Sequence, residues 1–271
     1  MPSFVCELLY DWCLGSSPPP HFTPDYLFLV FYFLKANPPS WEVLASKFHL
    51  DVKTVKICIN DALDVLDRAL PEVCCLFFFS FSCFSFFLMF LFQLDVEERK
   101  INWPYNVPCM IVDTYTCQIQ QPENESWQFL VGTNKFGVKY EIGLSLGMAH
   151  ICWLSGPWKG AAHDDTIAST SKLKDVLNPD KAALADKIYQ HDKILFICPL
   201  SGHCYTLTDE ENSYNYLIYK AQQSVERVIE QLQNMTIFKS IWTKKNLAHH
   251  FKCTQITYKL VNLMLMFEPL G

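Results

Sequence analysis

From Val107 onward the chain alternates short apolar runs with long amphipathic ones, and this order restricts its fold more than any other feature. Val107–Thr114 is apolar and reads as a buried strand. Phe136–Leu146 alternates, which places Val138, Tyr140, Ile142 and Leu144 on one face of a second strand. Ala149–Ser155 reads as a third strand, and Gly156-Pro157 is predicted to turn the chain. Asp164 or Asp165 is predicted to cap a helix that ends near Asn178-Pro179. Short strands are predicted at Ala183–Ala185 and Ile194–Cys198, followed by helices over Asp209–Met235 and Lys245–Phe267. The expected fold class is α/β, a mixed sheet with flanking helices.

Three acidic residues occupy particular places in that order. Asp113 ends the first apolar run, Asp186 follows the short run Ala182–Ala185, and Glu226 lies inside the Asp209–Met235 helix. Two aspartates at strand ends and a glutamate on a later helix can converge at one edge of a sheet. Three carboxylates held together repel one another, and a divalent cation relieves that repulsion. Hard oxygen ligands suit Mg²⁺ or Mn²⁺ working against phosphate. One aspartate alone is ordinarily a surface or capping group. The three together read as the site of a metal-dependent nuclease, or as what remains of one. Strands, a helix, further strands and a long helix in this sequence match an RNase H-like layout over residues 104–271.

The N-terminal part is helical in pattern. Residues 1–39 read as a linker-like tail closed by Ser16-Ser17-Pro18-Pro19-Pro20, then an apolar helix over His21–Leu34 that Pro38-Pro39 breaks. Over 40–72, Ser40 is predicted to cap a helix Trp41–Phe48, with Val43, Leu44 and Phe48 inward. Asp51 is predicted to cap a second helix through Leu66, with Val55, Ile59, Leu63 and Leu66 inward. Two short helices around a tight turn suit a helix-turn-helix that offers Lys53, Thr54 and Lys56 to DNA; such a pair serves equally as scaffolding.

A formal net charge of −6 counts against a simple nucleic-acid-binding protein. The charge is uneven, however. From Lys239 to Lys259 there are five lysines, His249 and His250, and no acid. Lys244, Lys245 and Lys252 are candidate phosphate contacts, with a solvated helix face as the alternative. The 12 cysteines contain no C-x-x-C pair. His249, His250 and Cys253 lie close together, but a fourth zinc ligand is not evident, so reduced thiols in an intracellular protein are expected. The N-terminus lacks the basic n-region of a secretory signal.

Residues 74–94 are unlike the rest. The stretch carries no charge and holds nine of the 21 phenylalanines, with no Val, Ile, Ala or Gly. By length it is a candidate membrane span. Its Phe, Ser and Leu content instead reads as a translated polypyrimidine tract. Val73-Cys74 is encodable by GTATGT, typical of a splice donor, and Phe92-Gln93 by TTTCAG, typical of an acceptor. Removing 73–93 keeps the frame, so a retained intron is the expectation, with a membrane span or a buried helix as alternatives.

In order and spacing the motifs resemble those of the Harbinger-type DDE transposase nucleases, from about Ser40 to the C-terminus without the insert. They are Ile111-Val112-Asp113-Thr114, then Trp158 to His163-Asp164, then Asp186-Lys187-Ile188-Tyr189, then Val225-Glu226-Arg227 after Tyr214-Asn215, and the close from Leu260-Val261-Asn262-Leu263 to Pro269-Leu270. Two departures stand out. Ile188 replaces the usual glycine, and Gln222 stands where many relatives carry arginine.

The resemblance implies that Asp113, Asp186 and Glu226 are catalytic and hold two divalent ions, Mg²⁺ or Mn²⁺, with His163 and Asp164 supporting. It also implies DNA as substrate, a Myb-like DNA-binding partner protein, more than one subunit, and a nuclear location, with the cytoplasm as the alternative. Trp153 and Trp158 read as core or turn packing. The competing functions are a non-catalytic DNA- or protein-binding descendant and a membrane-anchored protein.

Overall fold

The N-terminal helices form because their caps and apolar spacings agree. Pro24–Ala36 (α2) carries Pro at its start, where the missing N–H costs nothing. Ser40 accepts from the Val43 N–H to open Trp41–Phe48 (α3), and Asp51 accepts from the Thr54 N–H at 2.9 Å to open Val52–Ala69 (α4). The inner face of α4 is as expected: Val55, Ile59, Leu63 and Leu66 are all buried. In α3 the buried pair is Leu44 and Ala45, whereas Val43 is exposed, because so short a helix turns only one narrow edge inward.

The computed structural model describes residues 3–70, 107–124, 126–131, 135–146, 150–177, 181–189, 195–202, 206–243 and 246–267. The 73–93 insert lies outside them. Among the described residues no helix is long and apolar enough to cross a membrane. The tail reading of residues 1–20 is corrected: Ser3–Gly15 is a helix (α1) packed on α4. Leu9 and Cys13, one helical turn apart, are buried there.

The sheet has five strands in the order β3-β2-β1-β4-β5. They are Val107–Gln118 (β1), Gly137–Ser145 (β2), Ile151–Lys159 (β3), Lys181–Leu184 (β4) and Phe196–Ile197 (β5). The first three pair antiparallel; β4 and β5 run parallel to β1. Between β3 and β4 lie Asp164–Thr170 (α5) and Leu173–Val176 (α6). After β5 come Asp209–Gln233 (α7), Thr236–Lys239 (α8) and Leu247–Phe267 (α9).

Two local expectations are corrected. Gly156-Pro157 does not turn the chain. Lys139 pairs with Trp158 and Glu141 with Ser155, so one extra residue of β3 is absorbed as a bulge. An edge strand tolerates proline there, and Gly156 takes φ +139°, a conformation that side chains disfavour. Likewise, neither Asp164 nor Asp165 caps the next helix. His163 holds the N-cap position, and both aspartates sit in the first turn, where negative charge meets the positive helix end.

Helices cover both faces of the sheet. Val138, Tyr140, Ile142 and Leu144 face one core, shared with α4, α7 and α9. Cys109, Met110, Val112 and Trp153 face a second, smaller core with Ala168 and Tyr189. Asn262 on α9 clasps the start of β3, accepting from the Ile151 N–H at 2.8 Å and donating to its carbonyl at 2.7 Å.

Candidate active site

Strand alternation sets the direction of Asp113. It pairs with Ile142, and its neighbours on the same face pair with Leu144 and Tyr140, so it shares the face that α7 and α9 cover. On its other side β1 meets β4 in parallel, with Ile111 beside Leu184. Two residues farther along each chain come Asp113 and Asp186. Parallel pairing therefore delivers both acids to the same edge.

Glu226 approaches from α7. A capping box starts this helix: Thr208 accepts from the Glu211 N–H at 3.2 Å, and Glu211 accepts from the Thr208 N–H at 2.8 Å. Its buried stripe is Ile218, Val225, Val228 and Leu232, and it packs on β1. Glu226 follows Val225 and is exposed beside that stripe.

Asp113 registers all of these charges. Burial pushes its carboxyl up to about 6; its Thr114 N–H bond, at 2.7 Å, opposes that rise, and the charges of Asp164, Asp186 and Glu226 each add to it. Four acids from β1, the end of β4, α5 and α7 thus share one field. Asp186 is exposed and accepts from the Lys187 N–H at 2.6 Å. Among the described residues no three His, Cys, Asp or Glu side chains stand close enough to hold a metal ion. The donor set is nonetheless all carboxylate, which suits a hard divalent cation rather than zinc.

The supporting pair divides. His163 is exposed at the helix start. Asp164 is half-buried and ion-paired with Lys139 at 2.9 Å, and the same ammonium donates to the Ala162 carbonyl at 2.8 Å.

Beneath the acids, on the opposite face, lies a polar group that the sequence pattern did not single out. Glu141 is fully buried on β2 and accepts from Trp153 Nε1 at 2.8 Å. Burial pushes its carboxyl up, hydrogen bonds from Trp153 and Ser171 oppose that, and the Asp164 charge adds to the rise. Tyr189, on the 3₁₀ turn Lys187–Tyr189, is buried close by. The available signal was an acid between two apolar residues of a strand, Tyr140-Glu141-Ile142.

Part of the expected basic surface is spent internally. Lys252, a candidate phosphate contact, pairs with Asp64 on α4. Lys259 is buried and pairs with Asp67 at 2.8 Å. Lys244 and Lys245 lie outside the described residues. On α4, Thr54 is drawn to Asp51 by both its N–H and its hydroxyl, Lys56 lies 5.8 Å from the Trp41 ring centroid, and Lys53 is exposed. His250 belongs to the core, its Nδ1 2.7 Å from the Tyr140 hydroxyl.

Residues 112–262 match a family model described as DDE superfamily endonuclease. This chain belongs to that family. The matched span opens one residue before Asp113 and encloses Asp164, Asp186 and Glu226. A cryo-EM structure of a piggyBac transposase synaptic complex with hairpin DNA is similar, with 9% identity and a TM-score of 0.42; the similarity covers 98% of this chain and 72% of that chain. No match was found among curated proteins.

Proposed function

We propose that this DDE endonuclease is a divalent-metal-dependent DNA nuclease of transposase ancestry, built on an RNase H-like sheet. Asp113, Asp186 and Glu226 would hold Mg²⁺ or Mn²⁺. The observation that supports this most is the arrangement within the matched span: parallel pairing of β1 and β4 brings Asp113 and Asp186 to one edge, and the helix that carries Glu226 packs on β1. Held by these carboxylates, two such ions would supply Lewis-acid activation of the attacking water or DNA 3′-hydroxyl and charge stabilisation for the leaving oxygen.

The chain's own residues bind and orient. Asp113 is fixed by the Thr114 N–H, and Asp186 by the Lys187 N–H. Asp164 is fixed by Lys139 and adds its charge to the site. Lys53 and Lys56, on a helix-turn-helix of α3 and α4, would contact phosphates. Each would weaken binding about equally across DNA sequences if removed. A Harbinger-type subclass, a nuclear location, a homo-oligomer and a Myb-like partner complete the reading.

The second reading is a DNA- or protein-binding descendant without catalysis, favoured by Gln222 one helical turn before Glu226. Nicking of plasmid DNA with Mg²⁺ or Mn²⁺, by the chain and its Asp186→Asn variant, separates the two. The nuclease reading expects cutting by the parent alone. Folded parent protein that never cuts supports the descendant, and equal cutting by both proteins refutes the site.

A further inference from the structure

The turn that carries Asp186 is gripped from below. Tyr189 closes it, its N–H donating to the Asp186 carbonyl at 3.0 Å. The ring is 2% exposed and packs on Phe196 of β5, with centroids 5.1 Å apart. Thr114 and Glu141, paired across β1 and β2, lie on the sheet face opposite Asp113. The Tyr189 hydroxyl lies near Thr114 and feels the charge of Glu141. Burial holds its phenol well above the usual tyrosine range, the charges of Glu141, Asp164 and Asp113 add to that, and Thr114 acts against it.

Two buried atoms here make no well-formed hydrogen bond, the Tyr189 hydroxyl and Glu141 Oε1, although the Thr114 hydroxyl lies near the first and Ser171 near the Glu141 carboxylate. A buried polar atom left so costs about 1–3 kcal/mol, and phenylalanine would fill the ring's space without that cost. The two atoms are complementary, one a donor and the other an acceptor. Glu141 is itself fixed, since Oε2 accepts from Trp153. Thr114 directly follows Asp113, and Tyr189 comes three residues after Asp186. A link between hydroxyl and carboxylate, direct or through one water, would tie the Asp186 turn to β2 at Glu141, which pairs with Thr114 beside Asp113 on β1.

We propose that Tyr189 and Glu141 are positioning residues, a buried brace that sets Asp186 against Asp113 from the far face of the sheet. The proposal rests on the metal-nuclease reading and adds to it two residues that touch neither metal nor DNA. Outer residues that orient metal ligands change metal affinity by about 10- to 100-fold.

The test is Mn²⁺ titration of the full chain followed by calorimetry, beside Tyr189→Phe, with the metal-free thermal midpoint measured alongside. Tyr189→Phe is expected to bind Mn²⁺ about tenfold more weakly, with its midpoint within about 2 °C of the parent's. In cleavage, kcat falls while KM for DNA holds. Folded Tyr189→Phe that binds Mn²⁺ as tightly as the parent overturns the proposal. If that variant fails to fold, Glu141→Gln and Glu141→Leu decide. The amide keeps an acceptor oxygen and is expected to bind more tightly than the leucine variant, and equal affinities overturn the brace. A parent that binds no Mn²⁺ removes the metal reading and the brace together, a result distinct from a parent that binds and a variant that binds equally.

Discussion

Lys139 on β2 holds Asp164 at the start of α5, ammonium to carboxylate at 2.9 Å, with both side chains mostly buried. The pair crosses from the sheet to the helix that follows the β3 bulge, and so fixes where the Asp164 charge sits relative to Asp113. Lys139→Met leaves Asp164 half-buried beside other acids. It is expected to lower stability by about 1–3 kcal/mol. Asp164→Asn, which keeps an acceptor for Lys139, should cost less. Urea unfolding of both variants checks the order.

Asp113 makes stability depend on pH. Its folded value of about 6 lies above the roughly 3.9 of an unfolded aspartate. The folded state therefore holds the proton more tightly, and this group disfavours folding fully above pH 6. That cost is relieved as the pH falls from about 6 towards about 4. Asp113→Asn removes the cost. In the presence of chelator it is expected to be more stable than the parent by about 1–2 kcal/mol at pH 7.5, with the gain gone near pH 4. Thermal midpoints across that range check it, and a gain that grows towards acid would contradict the assignment.

Lys259 and Asp67 tie α9 to α4 unequally. The lysine side chain is 1% exposed and the aspartate 42%. Asp67→Ala strands a buried ammonium, with the Asp67 carbonyl at 3.0 Å still available, and is expected to cost about 2–3 kcal/mol. Lys259→Met frees only a carboxylate that water already reaches, and should cost less. The reverse order in chemical denaturation would contradict this account.

Asn262→Ala leaves both polar groups of Ile151 buried without their side-chain partner. A loss of about 2–4 kcal/mol is expected. Asn262→Asp, which keeps only an acceptor, should recover part of it. Equilibrium unfolding measures both.

Local signals carried far in this chain. Ser40 and Asp51 cap where their side chains suggest, and the alternation Val138, Tyr140, Ile142, Leu144 gives the buried face of β2. What local pattern could not convey was tertiary. Glu141 looks outward in a two-period strand, yet a sheet covered on both faces buries it. The lysines after Lys239 read as a solvated or phosphate-binding run, yet Lys252 and Lys259 meet Asp64 and Asp67, some 190 positions earlier in the chain. Gly156-Pro157 carries turn chemistry, but pairing with β2 continues through it as a bulge.

The same limit applies to the acids. That Asp113 ends a strand is visible in its apolar run. That β4 lies beside it in parallel is not, because a strand of four residues has too little pattern to declare its neighbour. The sequence order of the acids was legible, and their shared field came only with the fold.

The central claim is that acids from β1, the β4 end and α7 act as one nuclease site. The most direct test is metal-dependent DNA cleavage by Asp113→Asn, Asp186→Asn, Glu226→Gln and the double variant Asp113→Asn with Glu226→Gln. Groups that act as a unit are strongly non-additive. Each single variant is predicted to lose cleavage by about 10³-fold or more, and the double to lose no more than either single change. A folded single variant that cuts like the parent, or losses that multiply in the double, would contradict the claim.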